Sequence, residues 1–425
     1  MLRNGRAWQR TSGGNRQVPR DPHTGVDRPG PAIQSLRGSN QSGLRAYNQR
    51  LVLSLVYAHG NLTKTDIARM TGLSAQTGSV IMRELEAEDL IVKGEPVRGK
   101  VGQPSVPLSI NPDGAFFLGL KVGRRSAELI LVNFLGQPRA TLRKSYPWPT
   151  PPLIIDFVRD GVAGMLSALP AKFRDRVAGL GIATPFELWN WTEQADAPRQ
   201  EMDQWRGCDL RAELAQICDM PVYLQNDATA ACAAELVFGK HPGLSDYLYL
   251  YIGTFVGGGV VLNGSIYSGR TGNAGALGPL PVAGPGGKPV QLLDRASIML
   301  LERMLKSAGR DPSPLWNSPD HWEGFEDLAE EWIGIVARGL AQAIVSAAAI
   351  IDFEHVIIDG GLPVDVRAKI VGATRQEVSH YDLRGLEVPS ILPGTVGHLA
   401  RALGAASLPL FDKYLIDRNA RLGGA

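Results

Sequence analysis

Cysteine is scarce in this chain of 425 residues. The three present, Cys208, Cys218 and Cys232, have neither metal-like nor disulfide-framework spacing, so reduced thiols in a cytoplasmic protein are expected and no metal site. Long apolar runs are also missing. The most apolar stretch, residues 335–351, is broken by Arg338 and Gln342 and reads as a core helix, and the N-terminus shows no apolar segment of a secretion signal. Neither a membrane partner nor export is expected. Charge of one sign is not in excess overall, at a formal net of +2, which argues against a wholly basic or wholly acidic protein.

That small net charge hides an uneven distribution. Residues 1–40 hold seven arginines against two aspartates, and residues 41–110 hold eight basic against six acidic side chains, giving +5 and +2; the remainder carries −5. A basic end on a mildly acidic body fits a nucleic-acid module joined to a separate domain. Residues 1–40, rich in Gly, Pro, Arg and Asn, read as a disordered basic tail.

What is present first of all is a helix-turn-helix pattern in residues 63–90, TKTDIARMTGLSAQTGSVIMRELEAEDL. Thr63 can cap a helix carrying Ile67, Ala68 and Met70 inward, and Ser74 a second carrying Val80, Ile81 and Leu85. Gly72 between them suits the positive φ of a sharp turn. Ser74, Gln76, Thr77, Ser79 and Arg83 then fall on the first turns of the second helix, where their donors and acceptors can meet base edges or phosphates. Upstream, residues 44–59 read as a helix with Leu51, Leu55 and Val56 inward. Downstream, two short apolar stretches bracket the turn EPVRGKVGQPS, a wing whose Arg98 and Lys100 can meet phosphates. Gly78 is costly inside a helix and is read as room for close approach to DNA. An ordinary helical hairpin with a polar outer face remains the plain alternative.

Beyond residue 112 the pattern alternates between strand-like and helix-like stretches, an α/β body. Strands are expected at 116–122, 126–132, 177–183, 222–225, 247–252, 258–262 and 355–359, with helices at 153–169, 209–218 and 228–238. Asn226 and Asp227 end one strand and begin an Ala-rich helix, so Asp227 is either a helix cap or a strand-tip group that accepts a proton or a ligand hydroxyl. Gly257 and Gly258 lie in the glycine-rich stretch GTFVGGG, whose bare amides can cradle a phosphate or admit a sugar.

The order and spacing of these stretches resemble the ROK family. It contains sugar kinases of the two-lobed actin-like ATPase, ribonuclease H-like fold, and transcriptional repressors with an added winged helix-turn-helix. The likeness runs from about residue 45 to 408 through GLSAQT at 72–77, GQP at 102–104, GIATP at 181–185, QNDATAACAAE at 225–235, GTFVGGGVVLNG at 253–264, GNAGALG at 272–278 and IDGG at 358–361. The organisation it implies is a tail at 1–40, an α+β winged helix-turn-helix at 41–111, an effector-sensing and oligomerising sugar-kinase-like domain at 112–412, and a C-terminal tail at 413–425.

Departures from the family pattern choose the branch. Kinases of this type open with an Asp-x-Gly-Gly-Thr turn that handles metal-bound phosphates, where this chain has Lys121, Val122, Gly123, Arg124 and Arg125. The family's zinc-binding histidine and cysteine cluster fall on GALGP at 275–279 and GPGGKPVQLL at 284–293, and its sugar-binding Glu, His and second Glu on Ala276, Pro279 and Leu293, leaving Asn226, Asp227 and Glu235. Arg124 and Arg125 read as solvated surface side chains or as a preference for an anionic ligand. The resemblance therefore implies a cytoplasmic, DNA-binding regulator, a repressor of carbohydrate metabolism or transport genes. No catalytic residues, metal or cofactor are expected. Its partners are double-stranded operator DNA, a sugar or sugar derivative held by Asn226, Asp227, Glu235, Gly257 and Gly258, and a second copy or three more of itself. The alternative is an active ATP-dependent sugar kinase with an accessory DNA-binding head, in which Asp227 is the catalytic base.

Overall fold

The computed structural model describes residues 41–96, 105–186, 188–191 and 197–416. The expected tail at 1–40, Arg98, Lys100 and the turn at 102–104 lie outside the described residues.

The N-terminal region is built by local signals. Helices α1 (Gln41–His59), α2 (Lys64–Thr71) and α3 (Ala75–Ala87) are accompanied by short strands β1 (Leu62–Thr63), β2 (Ile91–Lys93) and β3 (Pro107–Ile110), paired antiparallel in the order β1-β3-β2. Thr63 Oγ1 accepts from Asp66 N at 3.2 Å while the Asp66 carboxylate accepts from Thr63 N at 3.3 Å, a reciprocal cap that fixes where α2 begins. Gly72 stops α2 at φ 69°, and Ser74 Oγ opens α3 by accepting from Thr77 N at 3.1 Å. Thr63→Ala is expected to lower stability by about 1 kcal/mol, the usual worth of such a cap. A shift of the urea midpoint without a change of slope would register it.

Three readings of helix phase need correction. Val52, Leu53 and Val56 are the buried residues of α1, whereas Leu51 and Leu55 are only partly covered. Met70 and Val80, expected inward, are 41% and 38% exposed. In α3 the inward positions are Gly78, Ile81, Met82 and Leu85, an i, i+3, i+4, i+7 set that leaves Val80 on the other side. Gly78 therefore faces the domain interior near Met82, not a ligand.

The body consists of two lobes with one repeated plan. In the first lobe, β4 (Phe116–Val122), β5 (Ser126–Asn133) and β6 (Pro138–Ser145) form an antiparallel meander. Strands β7 (Val177–Thr184) and β8 (Val222–Asn226) follow parallel to β4, in the order β6-β5-β4-β7-β8. Helices α4 (Pro151–Ala168) and α5 (Leu210–Ile217) make the crossovers. After α6 (Asp227–Phe238) the second lobe repeats it with β9 (Tyr247–Ile252), β10 (Val256–Leu262) and β11 (Ser265–Tyr267). An insertion follows, holding a small hairpin, β12 (Pro281–Ala283) with β13 (Pro289–Gln291), and α7 (Ile298–Ser307). Helix α8 (Glu326–Ala348), β14 (His355–Gly360), α9 (Val364–Val378) and β15 (Ser390–Pro393) complete the order β11-β10-β9-β14-β15. The apolar stretch at 335–351 mostly lies in α8, whose Trp332, Val336, Leu340 and Ile344 are buried. This is the two-lobed actin-like body joined to a winged helix.

Helix α10 (Ala400–Lys413) then returns to the first lobe and packs on β4, β7 and α6. Small residues make that return possible. A Cβ at Gly181 of β7 would stand 1.8 Å from the Ala405 carbonyl oxygen, and one at Gly404 of α10 would stand 1.7 Å from that of Ala230 in α6. No described helix is long and apolar enough to cross a membrane.

Candidate functional site

The polar face of α3 is open. Ser74, Gln76, Thr77 and Arg83 are exposed and Ser79 is partly covered, with Arg83 Nε donating to the Ser79 carbonyl at 3.2 Å. Ser74 and Thr77 share a hydroxyl contact of 2.9 Å, so the start of the helix is held by the same groups that face outward. Val80 lies on this face between Gln76 and Arg83, one helical turn from each, and adds an apolar contact surface that reading it as core had hidden.

Between the lobes lies a cavity of about 500 Å³ whose lining includes Asn226, Asp227, Tyr251, Phe255, Gly257, Gly258 and Arg401. Asn226 caps α6, its Oδ1 accepting from Ala228 N at 3.0 Å and Thr229 N at 3.3 Å, which leaves its amide nitrogen as a donor. Asp227 is the first helical residue and not the cap. Its Oδ2 is held by Arg401 Nη1 at 3.2 Å, leaving Oδ1 as an acceptor beside it. Arg401 lies over the Tyr251 ring at 5.0 Å.

Two expected site groups have structural tasks instead. Glu235 is buried away from the cavity lining, and its carboxylate accepts from Thr395 N at 2.9 Å, Thr395 Oγ1 at 2.8 Å and Val396 N at 3.3 Å. Burial pushes that carboxyl above its ordinary value despite these donors. Gly257 and Gly258 do line the cavity, but they belong to β10 and not to a phosphate-cradling loop. A Cβ on Gly257 would stand 2.7 Å from that of Ala228, and one on Gly258 would stand 2.4 Å from the Tyr249 carbonyl oxygen, so close packing explains the absence of side chains there.

The turn between β4 and β5, where the family's kinases handle phosphate, is filled. Arg124 is 4% exposed and ion-paired across the lobes to Glu302 of α7, so the reading of solvated arginines is wrong. Arg125 reaches the same carboxylate at 3.2 Å and lies over the Trp316 ring at 5.2 Å, while Lys306 supports Glu302 at 3.0 Å. Lys121 is buried and donates to Ser126 Oγ at 3.0 Å, with Glu128 at 3.9 Å; burial pulls the ammonium down to about 8 against the attraction of Glu128. Only about 60 Å³ remains open here. These residues do not fit a metal-bound triphosphate: a cation replaces the metal-binding carboxylate, and an interlobe ion pair occupies the approach. Nor, among the described residues, is any group of three His, Cys, Asp or Glu placed to hold a metal. In the IDGG stretch, Asp359 is fully buried and tied to Arg367, Tyr249 and Gly397 N, a brace for the second lobe.

Sequence reasoning missed Arg401 and Glu302 altogether. Arg401 begins α10, and the far end of the same helix meets the winged helix: Arg50 of α1 donates to the carbonyls of Phe411 at 2.7 Å and Leu415 at 3.0 Å. Ile416 N donates to Ser54 Oγ at 2.9 Å.

Comparison with known proteins agrees with this architecture. The ROK family model matches residues 117–410, and the MarR family model matches residues 46–100. An uncharacterized protein of Sinorhizobium fredii, y4fQ, is 26% identical over 385 residues, covering 89% of this chain and 94% of its own. The xylose repressor of Bacillus subtilis is 24% identical over 244 residues, 57% of this chain and 62% of that protein. The crystal structure of a ROK family transcriptional regulator, a homolog of the E. coli MLC protein, superposes with a TM-score of 0.63 at 19% identity, covering 88% of this chain and 98% of that one. A ROK family glucokinase from Streptomyces griseus, in complex with glucose and AMPPNP, reaches 0.54 at 22% identity over 69% of this chain and 99% of its own. With a family match spanning most of its length and a fold to suit, this chain belongs to the ROK family.

Proposed function

We propose that this chain is a DNA-binding transcriptional repressor of carbohydrate genes, acting in the cytoplasm as a homo-oligomer and sensing a sugar-class effector in the interlobe cavity. The observation that carries this reading is the pairing of an open, capped α3 face with a phosphate turn closed by Arg124, Arg125 and Glu302. A chain that retained phosphoryl transfer would need that turn free for a metal-bound phosphate. The names of the relatives, a xylose repressor and a ROK transcriptional regulator, support the same choice.

On this reading Ser74, Gln76, Thr77, Ser79 and Arg83 contact the operator, Arg98 and Lys100 its phosphates, and Asn226 and Asp227 the effector. Helix α10 carries the signal. It begins at Arg401 in the cavity and ends, about 21 Å on at the usual helical rise, in the grip of Arg50. An effector that competes for Asp227 releases Arg401 and biases the position of α10, and so of the head, by its differential affinity for the two arrangements.

The kinase reading keeps one supporting fact, that Asp227 lies at the cavity. One pair of assays decides between them. In a mobility shift at physiological salt with excess competitor, the wild type is expected to retain the DNA flanking its own gene. Gln76→Ala with Arg83→Ala should weaken retention by about a hundredfold, the sum of two lost base contacts. Absence of specific retention, together with sugar-dependent ATP turnover by the same preparation, would overturn the regulator.

A further inference from the structure

Besides Thr254, Thr271 and Asn273, the lining of the interlobe cavity holds two contrasting groups. Asn226 and Asp227 present a donor and an acceptor side by side, suited to adjacent hydroxyls, with Arg401 behind them. Ala276, Pro279 and Leu293 offer none. They are neighbours, since Leu293 N donates to the Gly278 carbonyl at 3.0 Å and Ala276 and Pro279 flank that glycine in an exposed turn. Phe186 adds a phenyl ring that is 42% exposed at the same cavity. A bare sugar placed here would leave this apolar surface facing water, whereas an apolar substituent would bury it and gain from it. The cavity, about 500 Å³, has room for a ring and a substituent together.

We infer that the effector is an amphipathic glycoside, its hydroxyl-bearing ring read by Asn226 and Asp227 and its aryl or alkyl group laid against Ala276, Pro279, Leu293 and Phe186. The inference rests on the effector-sensing reading above and narrows its ligand class. It excludes a free hexose or pentose as the best ligand, and it assigns the choice to residues that carry no polar atom in their side chains.

The test is titration of the full chain with glucose, xylose, their phenyl β-glycosides and phenol, followed by calorimetry and thermal shift. The phenyl glycosides are expected to bind at least about tenfold more tightly than the parent sugars. Ala276→Glu, at an exposed turn position that tolerates a charge, should remove about tenfold of that preference while leaving the melting temperature of the free protein unchanged. Asp227→Asn should weaken every glycoside. Parent sugars that bind as well as their glycosides, or phenol that binds as well alone, would overturn the inference. So would binding of none of these compounds by a protein that still retains its DNA, an outcome that leaves the regulator standing. A protein that retains no DNA brings down the regulator first and this ligand class with it.

Discussion

Replacing Glu302 by Ala is expected to destabilise the chain by about 3–5 kcal/mol, the range for removing one partner of a buried ion pair. Glu302 is 4% exposed and is the shared acceptor for Arg124, Arg125 and Lys306, so its loss leaves the buried Arg124 guanidinium without that carboxylate. The effect depends on pH in a definite direction. Burial pushes the Glu302 carboxyl up, but the hydrogen bond and charge of Arg124, with Lys306 and Arg125, outweigh it and hold the group at about 2. A carboxyl that is lower folded than unfolded stabilises the fold above its unfolded value, about 4.3. That contribution disappears as pH falls toward the folded value. Urea midpoints of wild type and Glu302→Ala should therefore differ most near pH 7 and approach each other only as pH falls to about 2. A difference independent of pH would show that the latch is not ionic.

Gly404→Ala should cost about 3 kcal/mol or more, at the severe end of overpacking. The added carbon would lie 1.7 Å from the Ala230 carbonyl oxygen, and the obstacle is backbone, which cannot rotate away. Alanine is the better helix former by about 1 kcal/mol, so propensity acts against the effect and is overwhelmed. Gly164→Ala, in α4 with nothing within 4 Å of the new carbon, supplies the opposite sign and should stabilise by up to about 1 kcal/mol. Thermal melting of the two variants side by side checks both. Equal melting temperatures would mean that α6 and α10 are not in contact as described.

What could be read from residues in order was local. Thr63, Gly72 and Ser74 set the helix boundaries because caps and turns act over three or four residues. Seven body strands fell where alternation and apolar runs placed them, whereas β6, β11 to β13 and β15 were not foreseen, and Asn226 with Asp227 was found because a polar pair ending a strand is visible without a fold. Helix phase was less legible: Met70 and Val80 are apolar yet outward, and only packing against Ile67, Ile81 and Met82 decides that. The largest omissions were pairs remote in sequence. Arg401 meets Asp227 across 174 positions, and Arg124 meets Glu302 across 178, and no spacing rule reaches that far. Glu235 was misread for the same reason, its partners Thr395 and Val396 being contributed from the other end of the chain.

The chain crosses between its lobes twice, outward after β8 through α6 and back after β15 through α10, and these two helices lie against each other where Gly404 meets Ala230. Two bodies joined at two adjacent points keep essentially one free rotation, as a door does on paired pins. Sliding and twisting are suppressed because either would drive backbone into backbone at that contact. The molecule thus reduces a change in its cavity to a single angle between the lobes, and α10 joins that angle to the winged helix through Arg50.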